Sequence, residues 1–346
     1  MDRLYVGTYT AGSGSKGIYL FDVEPDTGAA FLRGTWGETP NPSFLALAGG
    51  CLYAASEQPD KARVDAYRVA DDGALAWLNT REAPGAATCH VAVSPAAPLL
   101  FAANYFSGSV LCFGLGADGK LGPLLDEKRH AGHGPDPLRQ EGPHAHSVTP
   151  APDGGFVLAA DLGLDQLLPY RPGAGGKLAL SAPPTRVSGG QGPRHTVFSA
   201  DGRRCYLVTE MGNRVYAYQA GPDGLGPCLG DWPVLPEDFS GPSIAAAIQL
   251  SPDGRFLYAS SRGWDGIAAF AVQPSGALTP CGHFSAGGQG PRCFCLSPDG
   301  RWLAAANQQS GAVALLPRDV ETGALGAPVG RLPVPQAVCV LWARGT

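Results

Sequence analysis

The sequence holds no apolar run approaching the roughly 18 residues needed to cross a bilayer, and no cluster of Lys and Arg of the kind that binds nucleic acid or a membrane surface. Its first ten residues carry Asp2 and Tyr9 but no apolar signal core, so neither a secreted nor a membrane-spanning protein is expected. Charge of either sign is scarce. Only 16% of the 346 residues are charged, and 25 Lys and Arg against 30 Asp and Glu leave a formal net charge of −5. Neither nucleic acid nor membrane is therefore an expected partner. Three catalytic signatures are missing as well: a GxSxG elbow, a phosphate-binding P-loop and a dinucleotide fingerprint. Nothing then supports a serine nucleophile or a nucleotide cofactor, and no cofactor is expected. The nine cysteines are odd in number and include no CxxC pair. Most lie in apolar, strand-like runs, which suits buried thiols in a reducing cytoplasm. Cys293 and Cys295 would share a strand face, but two thiols do not complete a metal site.

Glycine and proline are abundant, at 49 and 32 residues, and they punctuate short apolar runs instead of forming one disordered tract. The punctuation is periodic. Segments such as Ser43–Glu57, His90–Tyr105, His146–Gly163, Arg194–Glu210, Ala246–Gly263 and Arg292–Gln308 each read strand, tight turn, strand. Their turn positions Ala48, Ser94, Ala151, Ser199, Ser251 and Ser297 are spaced by 46, 57, 48, 52 and 46 residues. A short polar turn, a third strand (Gln166–Tyr170, for example) and a weaker fourth follow each copy. Repeated four-stranded antiparallel units are the pattern of a β-propeller. At the N-terminus, Leu4–Thr10, Gly17–Val23 and Phe31–Gly37 supply second, third and fourth strands without a first. Gln336–Trp342 supplies that first strand. The expectation is an all-β, seven-bladed propeller forming one domain over residues 1–346, closed by the C-terminal strand joining the N-terminal blade.

The turns of the SPDG type read as scaffold, because Pro and Asp-Gly satisfy turn geometry. The other strand ends differ. First strands start, and second strands end, at one common mouth. The starts bring Ser43, His90, His144, His146, Arg194, His195, Arg292 and Gln336, and the ends bring Tyr9, Glu57, Asn104, Asp161, Glu210, Arg262 and Asn307. The Asp-Gly hairpin between Arg194 and Glu210 sets Arg194, His195 and Glu210 side by side at this edge.

Several motifs resemble the seven-bladed lactonase family: YVGTYT at Tyr5–Thr10, GPHAHS at Gly142–Ser147, GPRH at Gly192–His195, TEMGNRV at Thr209–Val215, SPDGRFLYASSRG at Ser251–Gly263 and GPRCFCLSPDG at Gly290–Gly300. The resemblance runs essentially end to end. That family contains 6-phosphogluconolactonases and 3-carboxy-cis,cis-muconate lactonizing enzymes, so it implies opening or closing of a lactone. It points to His146, Arg194, Glu210 and Arg262 as the catalytic group, with Arg292 of the second GPR motif as a neighbour. Ser261 stands where the family's NRG motif has Asn.

The residue types agree with such chemistry. Arginine makes planar, two-pronged contacts with carboxylate or phosphate, so three arginines near one mouth suit a small anionic lactone or a dicarboxylate. Arginines tying blades together through Glu210 or Asp161 are the structural alternative. Either His146 or Glu210 is a candidate to take a proton from water, with Arg194 and Arg262 or Arg292 facing the oxyanion. His90, Asn104, His144, Asp161, His195, Arg292 and Asn307 are candidate substrate-binding groups at the same mouth. His130-x-x-His133 and His144-x-His146 bracket the longest insertion, Leu125–Gly142. Its Gly/Pro-rich composition suits a flexible lid or rim better than a zinc site, and no metal is expected.

Overall fold

The computed structural model describes residues 1–343 and consists of seven antiparallel sheets arranged around an axis. Blade 1 unites Ala337–Ala343 with Asp2–Thr8, Ile18–Val23 and Ala30–Trp36. Blades 2 to 7 follow in chain order, with innermost strands Pro42–Ala48, Thr88–Val93, Ala145–Pro150, Pro193–Phe198, Ile244–Leu250 and Pro291–Leu296. Each innermost strand packs on the next, and Pro291–Leu296 packs on Ala337–Ala343, which completes the ring. The closing strand pairs with Asp2–Thr8 from Arg3↔Ala343 to Thr8↔Ala337, so neither chain end leaves an open edge there. The expected terminal strands are in place, shifted by one or two residues. In blade 4 the outer strand is broken into Leu178–Leu180 and Thr185–Arg186. Among the described residues, no helix is long and apolar enough to cross a membrane.

The turns are held by their own side chains. In the Ser251–Phe256 turn, Asp253 Oδ1 accepts from the Arg255 N–H at 3.0 Å and Ser251 Oγ accepts from the Phe256 N–H at 3.0 Å. The same pair of bonds recurs at Ser199–Arg204 and at Ser297–Trp302. These bonds are local, which is why the turns are legible in the sequence.

The blades are stapled to one another by an aromatic group on the second strand. Tyr5, Tyr53, Tyr206 and Tyr258 each donate a hydroxyl hydrogen to a carbonyl in the outer hairpin of the following blade, at Gly73, Gly119, Gly276 and Gly323 respectively, over 2.7–3.1 Å. Trp302 does the same across the ring closure, from Nε1 to the Pro25 carbonyl at 2.7 Å. These rings are almost wholly buried, so each contributes apolar area and satisfies its own polar tip.

Candidate active site

The sheet register explains how side chains reach the axis. In blade 5, Pro193 pairs with Thr209 and His195 with Val208, leaving Arg194 as an extra residue in the inner strand. The same irregularity leaves Cys89 extra in blade 3, His146 in blade 4 and Arg292 in blade 7. A bulge of this kind re-aims one side chain out of the regular alternation. In these four blades it delivers one inner-strand residue to the same end of the channel.

Blades 5 and 7 position their bulge through the GPR motif. Gly192 and Gly290 have φ near +70°, and their N–H groups donate to Asp165 Oδ1 and Asp265 Oδ1 of the preceding blade at 2.7 Å each. A side chain at Gly192 would also meet Met211 Sδ at 3.0 Å and Leu162 at 3.1 Å. Glycine is required here on both counts.

At the mouth lies a cavity of about 350 Å³, lined by Tyr9, Glu57, Cys89, Tyr105, Phe106, Arg139, His146, Glu210, Ile244, Arg262 and Arg292. Glu210 is its centre. Oε2 accepts from Arg194 Nε and Arg262 Nη2, both at 2.9 Å, and lies 3.6 Å from His146 Nε2. Oε1 accepts from Arg139 Nη2. Burial alone would raise the Glu210 pKa, but the Arg262, Arg194 and Arg139 guanidinium groups overcome it and hold the carboxyl well below its usual range. A second group faces it: Arg292 Nη2 donates to the Tyr9 hydroxyl at 2.8 Å, which donates to Glu57 Oε2 at 2.8 Å. Arg292 also lies over the Tyr9 ring, 5.4 Å from its centroid.

His146, His195 and His90 favour the neutral form. Burial, reinforced by the Arg194 charge, depresses His146 and His195 well below 6.5 and takes His90 to about 3. Their rings form an edge-to-face row, His90 to His195 at 5.3 Å and His195 to His146 at 5.5 Å, with Phe44 stacked on His90 at 3.9 Å. His146 Nδ1 is buried without a partner, so Nε2 is the nitrogen available to a ligand in the cavity. With the imidazoles uncharged, the guanidinium groups of Arg139, Arg194, Arg262 and Arg292 face the carboxylates of Glu57 and Glu210. The balance is a surplus of about two positive charges around the cavity.

The structure brings His146, Glu210, Arg262 and Arg292 to the cavity wall. Arg194 lies behind Glu210, 2% exposed, with Nε on that carboxylate and Nη1 on the Ala246 carbonyl. His90 and His195 lie deeper in the channel. His144 stacks on Tyr105 at 4.5 Å, contacts the Tyr105 carbonyl through Nδ1 at 3.0 Å and lies 3.2 Å from Glu141 through Nε2. Asn104, Asp161 and Asn307 fill the register position of Thr209, one residue short of that of Glu210, and they are buried outside the cavity wall. Asn104 bonds Thr88 and Ser109, and Asn307 donates to the Ala286 carbonyl at 2.9 Å. Asp161 accepts from the His144 and Leu164 N–H groups and meets His130 Nδ1 at 2.6 Å. Ser261 joins Asn213 and Ser243 in a short network, and Ser243 Oγ bonds the Arg262 carbonyl, so the backbone at Arg262 is held.

The 125–142 insertion is strand as far as Arg129, and the loop beyond it is tied down on both sides of Arg139. His130 meets Asp161, and Gln140, fully buried, donates to the Leu162 carbonyl at 2.8 Å. It forms a fixed rim. Tyr105 fills the same register position as Tyr9, Glu57, Glu210 and Arg262, one residue beyond Asn104, whereas Arg139 has no signal in strand periodicity, because it reaches Glu210 across 71 residues from an irregular segment.

A propeller with a positively charged cavity at one end of its axis, set around a buried carboxylate and a histidine, has the size and charge to take a small anion. The chain matches the model of the seven-bladed β-propeller lactonases over residues 3–342 and belongs to that family. It is 35% identical over 346 residues to a 6-phosphogluconolactonase of Bacillus subtilis, with 97% of each chain covered. The periplasmic gluconolactonase of Pseudomonas aeruginosa has a similar structure, with a TM-score of 0.93 at 31% identity over 100% of this chain and 99% of that one. A protein from Lactobacillus plantarum gives 0.92 at 34% identity over 99% and 100%.

Proposed function

We propose that the chain hydrolyses a sugar lactone, and that 6-phosphogluconolactone is its substrate. The relatives named for lactone hydrolysis support the reaction class. The observation that carries the substrate is the surplus positive charge around a cavity only large enough for a small molecule.

In this reading His146 Nε2 takes a proton from water as the oxygen attacks the lactone carbonyl. Glu210, ionised and 3.6 Å away, stabilises the imidazolium that forms. Arg262 and Arg292 face the developing oxyanion. Collapse of the tetrahedral intermediate breaks the ring C–O bond, and the imidazolium returns its proton to the leaving alkoxide. The depressed pKa makes His146 a weak base, but its conjugate acid is correspondingly strong and suits that second transfer. Arg194 acts through Glu210: its charge keeps the carboxylate ionised and aimed at the imidazole.

The test is hydrolysis of freshly generated 6-phosphogluconolactone by wild type and His146→Ala, against the spontaneous background, with thermal melts to show that both are folded. A wild-type rate well above background that His146→Ala abolishes is expected. Background rates in wild type would remove this substrate, and a carboxymuconate would be assayed next.

A further inference from the structure

Of the four guanidinium groups at the site, three are held by the blades. Arg194 has Nε and Nη1 committed and is 2% exposed. Arg262 Nη2 is shared between Glu210 and the Ala245 carbonyl, and Arg292 rests on Tyr9. Arg139 differs. It comes from the rim loop, its side chain is 36% exposed, and only side chains tie it to the site, Glu210 Oε1 through Nη2 and the neighbouring Tyr105 hydroxyl.

Glu210 has more cations than one carboxylate needs. If Arg139 leaves, Oε2 keeps Arg194 and Arg262 at 2.9 Å, so the carboxylate stays ionised and paired. Exchanging the Glu210 oxygen for another anionic oxygen therefore costs Arg139 little. The loop itself does not need to move, because the neighbouring Gln140 is anchored to the Leu162 carbonyl. The motion required is a side-chain swing at the mouth.

We infer that Arg139 is the specificity residue for the substrate's phosphate: it parks on Glu210 in the empty site and transfers to the phosphate when the lactone enters. This rests on the lactonase reading above. The lactone end lies inward beside His146, and the charged end lies at the rim, where the one movable guanidinium waits. Release of Oε1 leaves Glu210 a free acceptor facing the cavity at the moment of binding.

The test compares wild type, Arg139→Ala and Arg139→Lys. Their kcat/KM is measured on 6-phosphogluconolactone and on unphosphorylated glucono-lactone, and their affinity for 6-phosphogluconate and for gluconate is measured by calorimetry. Losing a charge-assisted contact to phosphate is expected to lower kcat/KM and affinity for the phosphorylated compounds by roughly 10- to 100-fold. Values for the unphosphorylated pair should fall by a clearly smaller factor, so that the ratio of phosphorylated to unphosphorylated kcat/KM drops by about 10-fold or more. Arg139→Lys should recover part of the loss, since a point charge remains without the planar fork. Equal losses on both compounds would make Arg139 a structural partner of Glu210 and overturn the inference. If wild type turns over neither lactone, the lactonase reading fails by itself. The inference then stands or falls on whether 6-phosphogluconate binds more tightly than gluconate in an Arg139-dependent way.

Discussion

Replacing Glu210 by Gln probes the charge balance of the whole site. The carboxylate is 4% exposed and accepts from Arg194, Arg262 and Arg139. Gln keeps one carbonyl acceptor but loses the charge, and its amide turns two donors toward guanidinium groups that are themselves only donors. Removing one partner of a buried ion pair costs about 3–5 kcal/mol. Arg139 is partly solvated, so its share is at most about 1 kcal/mol. The retained acceptor returns about 1 kcal/mol. The expected destabilisation is about 3 kcal/mol, read as a lower urea midpoint at unchanged slope. Combining Glu210→Gln with Arg194→Leu should be less damaging than the sum of the two, with a coupling of about 1–3 kcal/mol at this contact distance. Turnover of 6-phosphogluconolactone should fall at least about 100-fold, since His146 loses the charge that stabilises its imidazolium. A destabilisation below about 1 kcal/mol with additive effects would refute the view that this one carboxylate compensates the arginines.

Other expectations concern stability and backbone geometry. His90 is depressed to about 3, so between pH 6.5 and 3 the unfolded chain binds a proton at this position that the folded one does not. Stability is therefore fully present above pH 6.5 and lost as the pH falls. The loss from this residue is about 2 kcal/mol by pH 5, and urea titrations at pH 7 and 5 should show His90→Phe with a shallower decline. Tyr258→Phe removes both a staple to Gly323 and the acceptor of Arg318 Nε at 2.6 Å. It should cost about 2–3 kcal/mol, against about 1 kcal/mol for Tyr206→Phe, which strands no charge. Equal values in denaturant melts would contradict the Arg318 contribution. Gly192→Ala meets both a positive φ and Met211, and should lower kcat through displacement of Arg194 as well as cost about 1–2 kcal/mol. Unchanged kcat would show that this glycine does not set the bulge.

The sequence by itself determined the repeat, the number of blades, the turns and the sharing of one blade between the two ends. Each rests on information local to a few residues: alternating apolar runs, and Ser, Asp and Gly side chains or backbones satisfying their own turn. The polar end of the axis was legible for the same reason, since strand starts and ends follow from the turns. Only the tertiary structure decided which of those polar groups face the cavity. Both Asp161 and Glu210 close a second strand at the mouth, but Asp161 sits one register position before the one that Glu210 fills. One is consumed by backbone N–H groups and His130, and the other is left to the arginines and His146. The bulges that turn His146, Arg194 and Arg292 inward are mismatches between paired strands and leave no periodic trace in either strand alone. Arg292 meets Tyr9 across 283 residues only because the ring closes, and Arg139 meets Glu210 only because the rim loop folds over the mouth.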